Sequence, residues 1–248
     1  MILMIKNILK YLMVNLLFFN LFINNKSNYS IDMQINNKNV LFLDLETTGL
    51  PQKKQKWNQG KDGYYKYNMN NKYDSSRIVS VAWLLIENYS GKNFNCQDIL
   101  EYIRKPKDFI ITNSDIHGIT HQTAANNGIL LSKILKDKGL ADAIKKCDFF
   151  VAHNCLFDLL ILTNECYRLN FKICVNKLNN ILNDNNFICT GELGRYVCKI
   201  PNKFNKNLYK MPKLSELYYY YYNEPPKVLH NAKEDVNTLL CITLKLFP

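Results

Sequence analysis

Apolar and polar positions change period along the chain, and the changes mark the elements. Val40 to Leu45 begins as an apolar run, admits Asp44 ahead of Glu46, and reads as a strand. Ile78 to Ile86 is rich in β-formers and predicts a second strand; Phe94 to Arg104 predicts a third. From Gly128 to Lys146 the apolar residues Ile129, Ile134, Leu135, Ala141 and Ile144 recur at helical intervals, predicting one helix. "DFFVAH" is a short buried strand that leads into a helix from Leu156 to Leu169. Phe187 to Thr190 reads as the last strand, followed by helices at Leu214–Tyr222 and Ala232–Phe247. Strands early and strand–helix alternation later predict an α/β fold, a mixed central sheet of about five strands flanked by helices.

Between these elements the pattern is polar. Asn24 to Asn39 reads as a linker, and Pro51 to Arg77 as a long loop. Ahead of the linker, "MILMIKNILKYLMVNLLFFNLFINN" carries Lys6 and Lys10 before an apolar run from Tyr11 to Ile23. The run is short for a membrane span, which needs about 20 apolar residues, and no small-residue cleavage site follows it. It fits a signal anchor, an amphipathic helix on the domain, or an upstream extension with Met33 as the working start. The expected division is therefore an N-terminal apolar segment and linker over 1–33 and one domain over 34–248.

The whole chain has 248 residues, 47% hydrophobic and 21% charged, enough for one substantial core. Its net charge of +11 suits a polyanionic partner, nucleic acid before membrane. Eight cysteines form no C-x-x-C pair and only four histidines are present, which disfavours a zinc site. Thiols scattered in this way suit a reduced, intracellular protein, in cytoplasm or nucleus.

The first strand poses a chemical question. In "NVLFLDLETTGLP", Leu41, Leu43 and Leu45 share one face, and Phe42, Asp44 and Glu46 the other. Two residues along a strand are about 6.6 Å apart. Carboxylates at that spacing can reach one cation, or a pair about 3.5–4 Å apart. Buried acids without a partner would cost several kcal/mol and repel each other, roughly speaking. A divalent cation removes both problems, and oxygen ligands select Mg²⁺ or Mn²⁺ over zinc.

Two later segments add acids. "VAHNCLFDLLIL" places Asp158 in the first turn of a helix, where an acid also suits the helix dipole. "VLHNAKEDVNTLLCI" places His230 before a helix and Asp235 within it, beside the apolar stripe of Val236, Leu239, Leu240 and Thr243.

The order D-x-E, H-N-x-x-F-D, H-x-A-x-x-D resembles the three motifs of the DnaQ-like 3′–5′ exonucleases, in the DEDD group that carries a histidine. That family includes the proofreading epsilon subunit of bacterial replicases and the three-prime repair exonucleases. "IHGIT", "FICTGELGRYV" and "MPKLSELYYYYYNEPP" resemble the family's intervening segments, so the likeness runs from about Val40 to Phe247. It implies a ribonuclease H-like fold and a two-metal exonuclease acting on DNA 3′ ends, in proofreading or repair. Asp44, Glu46, Asp158 and Asp235 would hold two Mg²⁺ or Mn²⁺ ions. His230 would be the general base, since an imidazole accepts protons near neutral pH. Thr47 and Leu50 match positions that touch the terminal nucleotide, and His153 and Asn154 match pocket residues beside the second motif. The motifs do not separate DNA from RNA. A non-catalytic nucleic-acid-binding subunit is the rival from another class, and a proofreading role would require a separate polymerase chain.

The loop from Pro51 to Arg77 departs from the family in its length. Its lysines alternate with Trp57, Tyr64, Tyr65, Tyr67 and Tyr73, as in a platform that follows phosphates and stacks on bases. A solvated insertion is the alternative. In the tyrosine run, Leu214, Leu217, Tyr218 and Tyr221 share one helix face, which predicts packing.

Overall fold

A computed structural model describes residues 35–54, 63–91, 96–227 and 230–247. The apolar segment over 1–33 lies outside the described residues. Among the described residues no helix is long and apolar enough to cross a membrane.

The strands are β1 (Val40–Thr47), β2 (Ile78–Ile86), β3 (Leu100–Ile103), β4 (Phe149–Ala152) and β5 (Phe187–Cys189). They form one mixed sheet in the order β3-β2-β1-β4-β5. β1 is central, antiparallel to β2 and parallel to β4. β4 covers only Val40 to Phe42, so Asp44 to Thr47 run on past its pairing. The acids therefore stand at the carboxyl end of the central strand, where its neighbours change direction. Open α/β sheets bind ligands in such places.

Alternation along β1 splits the core in two. Leu41, Leu43 and Leu45 enter one buried cluster; Val40 and Phe42 enter the other. The first is closed by α3 (Leu131–Asp137), α4 (Leu140–Lys146), α5 (Cys155–Arg168) and α6 (Lys172–Asp184), the second by α8 (Leu214–Tyr222) and α9 (Ala232–Leu246). Earlier in the chain come the short α1 (Ser114–His117) and α2 (His121–Asn127); α7 (Thr190–Cys198) follows β5 directly.

Three expectations need correction. The single helix over Gly128–Lys146 is two, because Gly139 adopts a left-handed φ of 88° and halts the helical path. The third strand is confined to Leu100–Ile103, preceded by a 3₁₀ turn at Cys96–Asp98. Two tyrosines of the long loop are core rather than platform. Tyr73 is fully buried and Tyr64 nearly so, both within the core cluster. Tyr73 Oη donates to Tyr65 O at 2.6 Å, and Asn164 on α5 donates to Tyr67 O at 2.6 Å. Rings this deep serve folding; Trp57 lies outside the described residues.

The tyrosine run behaves as its spacing predicts: Leu217 is buried, with Leu214, Tyr218 and Tyr221 packed against it. Cys147, Cys155, Cys166, Cys174, Cys189, Cys198 and Cys241 are thiols, not disulfides.

Candidate active site

β1 brings the first two acids to the site through its register. Asp44 lies opposite Ala82, and Glu46 opposite Ser80. A bulge follows between Glu46 and Thr47, ending the regular ladder at the site. Helix α9 crosses this face of the sheet. The side chain of Asn231 caps it by accepting from Glu234 N at 3.1 Å, and Asp235 falls in its first turn. Carboxylate oxygens of Asp44, Glu46 and Asp235 lie within 4.8 Å of one another.

Asp158 approaches from the first turn of α5 and is 2% exposed. Asn154, at φ 65°, makes the sharp turn from β4 into this helix. The Asp158 carboxylate accepts from the amides of Leu45 and of Asp158 itself, which hold it beside β1. It stands outside the tight trio, yet its charge acts on Asp44.

The electrostatics are those of a site short of positive charge. Burial first, then the charges of Asp158, Asp235, Glu46 and Glu101, push the Asp44 carboxyl well above the usual range. Glu46 is raised to about 7 by burial, then by Asp235 and Glu101. Asp235 is raised to about 7 by burial, against a stabilising bond from the His230 amide. Burial also raises Asp158, its two amide bonds notwithstanding. Hard oxygen donors at this spacing fit a divalent cation such as Mg²⁺ or Mn²⁺.

His230 precedes α9 with its side chain exposed and a left-handed φ of 58°. Its ring lies within electrostatic reach of His117, which is 8% exposed. Nδ1 of His117 accepts from Ile119 N at 3.1 Å, and its buried Nε2 has no partner.

The softer candidates differ among themselves. Thr47 is buried, and its hydroxyl donates to Gly49 O at 2.9 Å. Leu50 is 70% exposed at the loop tip. His153 has both ring nitrogens engaged, Nε2 with Pro212 O at 2.9 Å and Nδ1 with Thr190 Oγ1 at 3.0 Å. A carbonyl can only accept, so Nε2 carries the proton and Nδ1 accepts from the threonine. His153 thus ties the start of α7 to the segment before α8 rather than offering a free nitrogen. Asn154 shapes the turn through its backbone.

Two neighbours escape a motif reading. Glu101 pairs with Ala82, which pairs with Asp44, so the two acids lie in one row across three strands. The amide of Lys233 donates to the Glu101 carboxylate, joining β3 to the first turn of α9. Ser80, opposite Glu46, is wholly buried with an unpartnered hydroxyl. Only the strand register reveals either; the polar Glu101 within "LEYI" is the faint signal in the sequence.

No family model matches the chain, and no curated protein matches it. Solved structures do. E. coli exonuclease I in complex with a dT13 oligonucleotide superposes with a TM-score of 0.58 at 18% identity, covering 84% of this chain and 41% of that one. Exonuclease I from Methylocaldum szegediense gives 0.58 at 15%, covering 85% and 42%. S. pombe Pop2p in its Mg²⁺- and Mn²⁺-bound form gives 0.55 at 13%, covering 90% of this chain and 88% of Pop2p. The chain thus spans about two-fifths of the exonuclease I chains and nearly all of Pop2p. The fold is the ribonuclease H-like fold, shared with these structures.

Proposed function

We propose that the chain is a metal-dependent 3′–5′ exonuclease that trims single-stranded or frayed 3′ ends of DNA and releases nucleoside 5′-monophosphates. The observation that carries this reading is the convergence of Asp44, Glu46 and Asp235, from the first strand and the last helix, into a buried pocket that opposes their ionisation. The fold supports it, and exonuclease I, which shares the fold, has been crystallised with dT13 and dA16.

In this reading Asp44, Glu46, Asp158 and Asp235 hold two Mg²⁺ or Mn²⁺ ions, which would offset the phosphodiester's charge and ease loss of a proton from water. His230, exposed beside the cluster, accepts that proton. The water oxygen forms a bond to phosphorus while the bond from phosphorus to the 3′-oxygen breaks, leaving that oxygen on the shortened strand. The loop Thr47–Leu50 orients the terminal nucleotide, with Leu50 free to pack on its base. Use in proofreading or repair, beside a separate polymerase, is the role this activity suits.

The test is turnover of matched DNA and RNA oligonucleotides, 3′-free or 3′-blocked, with Mg²⁺, with Mn²⁺ or with chelator. Loss of 3′-terminal mononucleotides from DNA, abolished by chelator and by the 3′ block, supports the reading. Undiminished digestion in chelator, or none in either metal, overturns it. Faster turnover of RNA moves the substrate assignment and leaves the chemistry.

A further inference from the structure

Between α7 and α8 the chain makes an arm that the site described above does not use. Pro201 and Tyr209 bridge antiparallel; Asn202 N donates to Leu208 O at 2.8 Å and Lys210 N to Ile200 O at 2.9 Å. The tip is organised by Asn202, whose Oδ1 accepts from Phe204 N at 2.8 Å and Asn205 N at 3.3 Å. The result is a built turn that holds Phe204 99% exposed, with Leu208 and Tyr209 also open to solvent. A ring held so far from the rest of the protein adds nothing to the core.

Charge gives the arm its chemistry. From Lys199 to Lys213 the sequence has five lysines and no acid. Lys210 is committed to Glu216 at 2.6 Å. Lys203 and Lys206 flank Phe204 at the tip, and Lys199 and Lys213 mark the base, all four exposed. The foot rests on α7 and on the turn from β4 that leads to Asp158. Pro212 O meets His153 Nε2, Arg195 donates to Tyr209 O at 3.0 Å, and a Cβ on Gly191 would lie 2.8 Å from Met211 Sδ. His153 closes the β4 strand that delivers Asp158.

We propose that this arm is a single-strand guide: Phe204 stacks on a base of the nucleic acid upstream of its 3′ end, and Lys203 and Lys206 hold the adjoining phosphates. A fully exposed ring between cations matches the alternation of base and phosphate, whereas a membrane or a protein partner would call for a wider apolar face than Phe204, Leu208 and Tyr209 provide. The arm doubles back on itself, so its tip stands about four residues from its base, a reach of at most about 14 Å that carries Phe204 beyond the terminal nucleotide. The assignment rests on the nuclease reading for its direction, and on the arm's own residues for binding.

The test measures binding of the full chain to 5′-fluorescein dT15 and dT3 in chelator, and turnover of both in Mg²⁺. Phe204→Ala is expected to weaken dT15 binding about tenfold, with Phe204→Trp restoring it. Lys203→Ala/Lys206→Ala is expected to lower the log–log salt slope by roughly 1.4. The losses are expected to spare dT3 and to leave the melting temperature unchanged, since the mutated side chains lie outside the core. Variants that bind dT15 within twofold of wild type overturn the proposal, as do losses equal for dT15 and dT3. If the wild type turns over neither oligonucleotide, the nuclease reading fails, while the chelator measurements still decide whether the arm holds single strands.

Discussion

Arg77 and Glu165 meet behind the site: Arg77 Nε donates to Glu165 Oε1 at 2.8 Å, with both side chains almost wholly removed from water. Arg104 joins the same carboxylate, Asp108 accepts from Arg77 at 3.0 and 3.2 Å, and the ring of Phe109 lies against both guanidiniums. Burial would raise Glu165, but the two arginines outweigh it and hold the carboxyl below its usual range. The network joins the parts that shape the site. Glu165 lies about two helical turns along α5 from Asp158, and Arg77 N donates to Thr48 Oγ1 at 2.9 Å.

Glu165→Gln leaves two buried guanidiniums with too little negative charge. Removing one member of a buried ion pair costs about 3–5 kcal/mol. Urea unfolding is expected to show a loss of that order. Any activity that survives should show a raised KM, because Thr48 and Asp158 lose a shared brace.

Asp44→Asn separates the metal role from folding. Turnover is expected to fall on the order of 10³-fold or more. Without divalent cations the variant should melt higher than wild type at pH 8, because it removes one charge from a pocket that resists charge. An oligonucleotide turnover assay and paired melting curves check both.

The acids also set a pH dependence. Glu46 and Asp235 titrate at about 7, above the ordinary carboxylate range. Groups raised on folding contribute stability that is complete below about pH 4 and is lost as pH climbs through about 7. Metal-free protein should therefore lose stability between about pH 4 and pH 7, by about 1.4 kcal/mol per unit of raised pKa. Glu165 and Asp108, held low, act in the opposite sense at more acid pH. The increase in melting temperature on adding Mg²⁺ should accordingly be larger at pH 8 than at pH 5.5.

Gly49 allows the loop after β1 to lie against Ser75. Its φ is +154°, and a Cβ there would stand 2.9 Å from Ser75 O. Gly49→Ala should displace Thr47–Leu50, raising KM for an oligonucleotide several-fold at a stability cost of about 1–3 kcal/mol. Steady-state kinetics and thermal melts read the two effects.

Tyr73 tests the corrected role of the long loop. Tyr73→Ala is expected to cost about 3–5 kcal/mol, as for other large buried rings. Tyr73→Phe loses the bond to Tyr65 O, worth about 1 kcal/mol. A stacking platform would instead lose nucleic-acid affinity with folding intact.

The strands carrying chemistry were legible because period and acid placement coincide: alternation on β1 puts Leu41, Leu43 and Leu45 in one core and turns Asp44 and Glu46 the other way. Segments of mixed polarity were not. α6 carries Asn and Lys among its apolar residues and lacks a side-chain cap, while α7 opens with Thr-Gly and follows β5 without a loop. Glu101 needed the pairing of β3 with β2, a long-range register that local pattern does not encode. Tyr64 and Tyr73 misled because alternating lysines and rings look alike whether the rings face solvent or core.

The central strand is made well before α9, yet the carboxylate trio needs both. A ribosome-bound chain displays Asp44 and Glu46 long before Asp235 emerges. Whatever chemistry the pocket performs is thus withheld until Asp235 has been made, and translation itself acts as the safety catch.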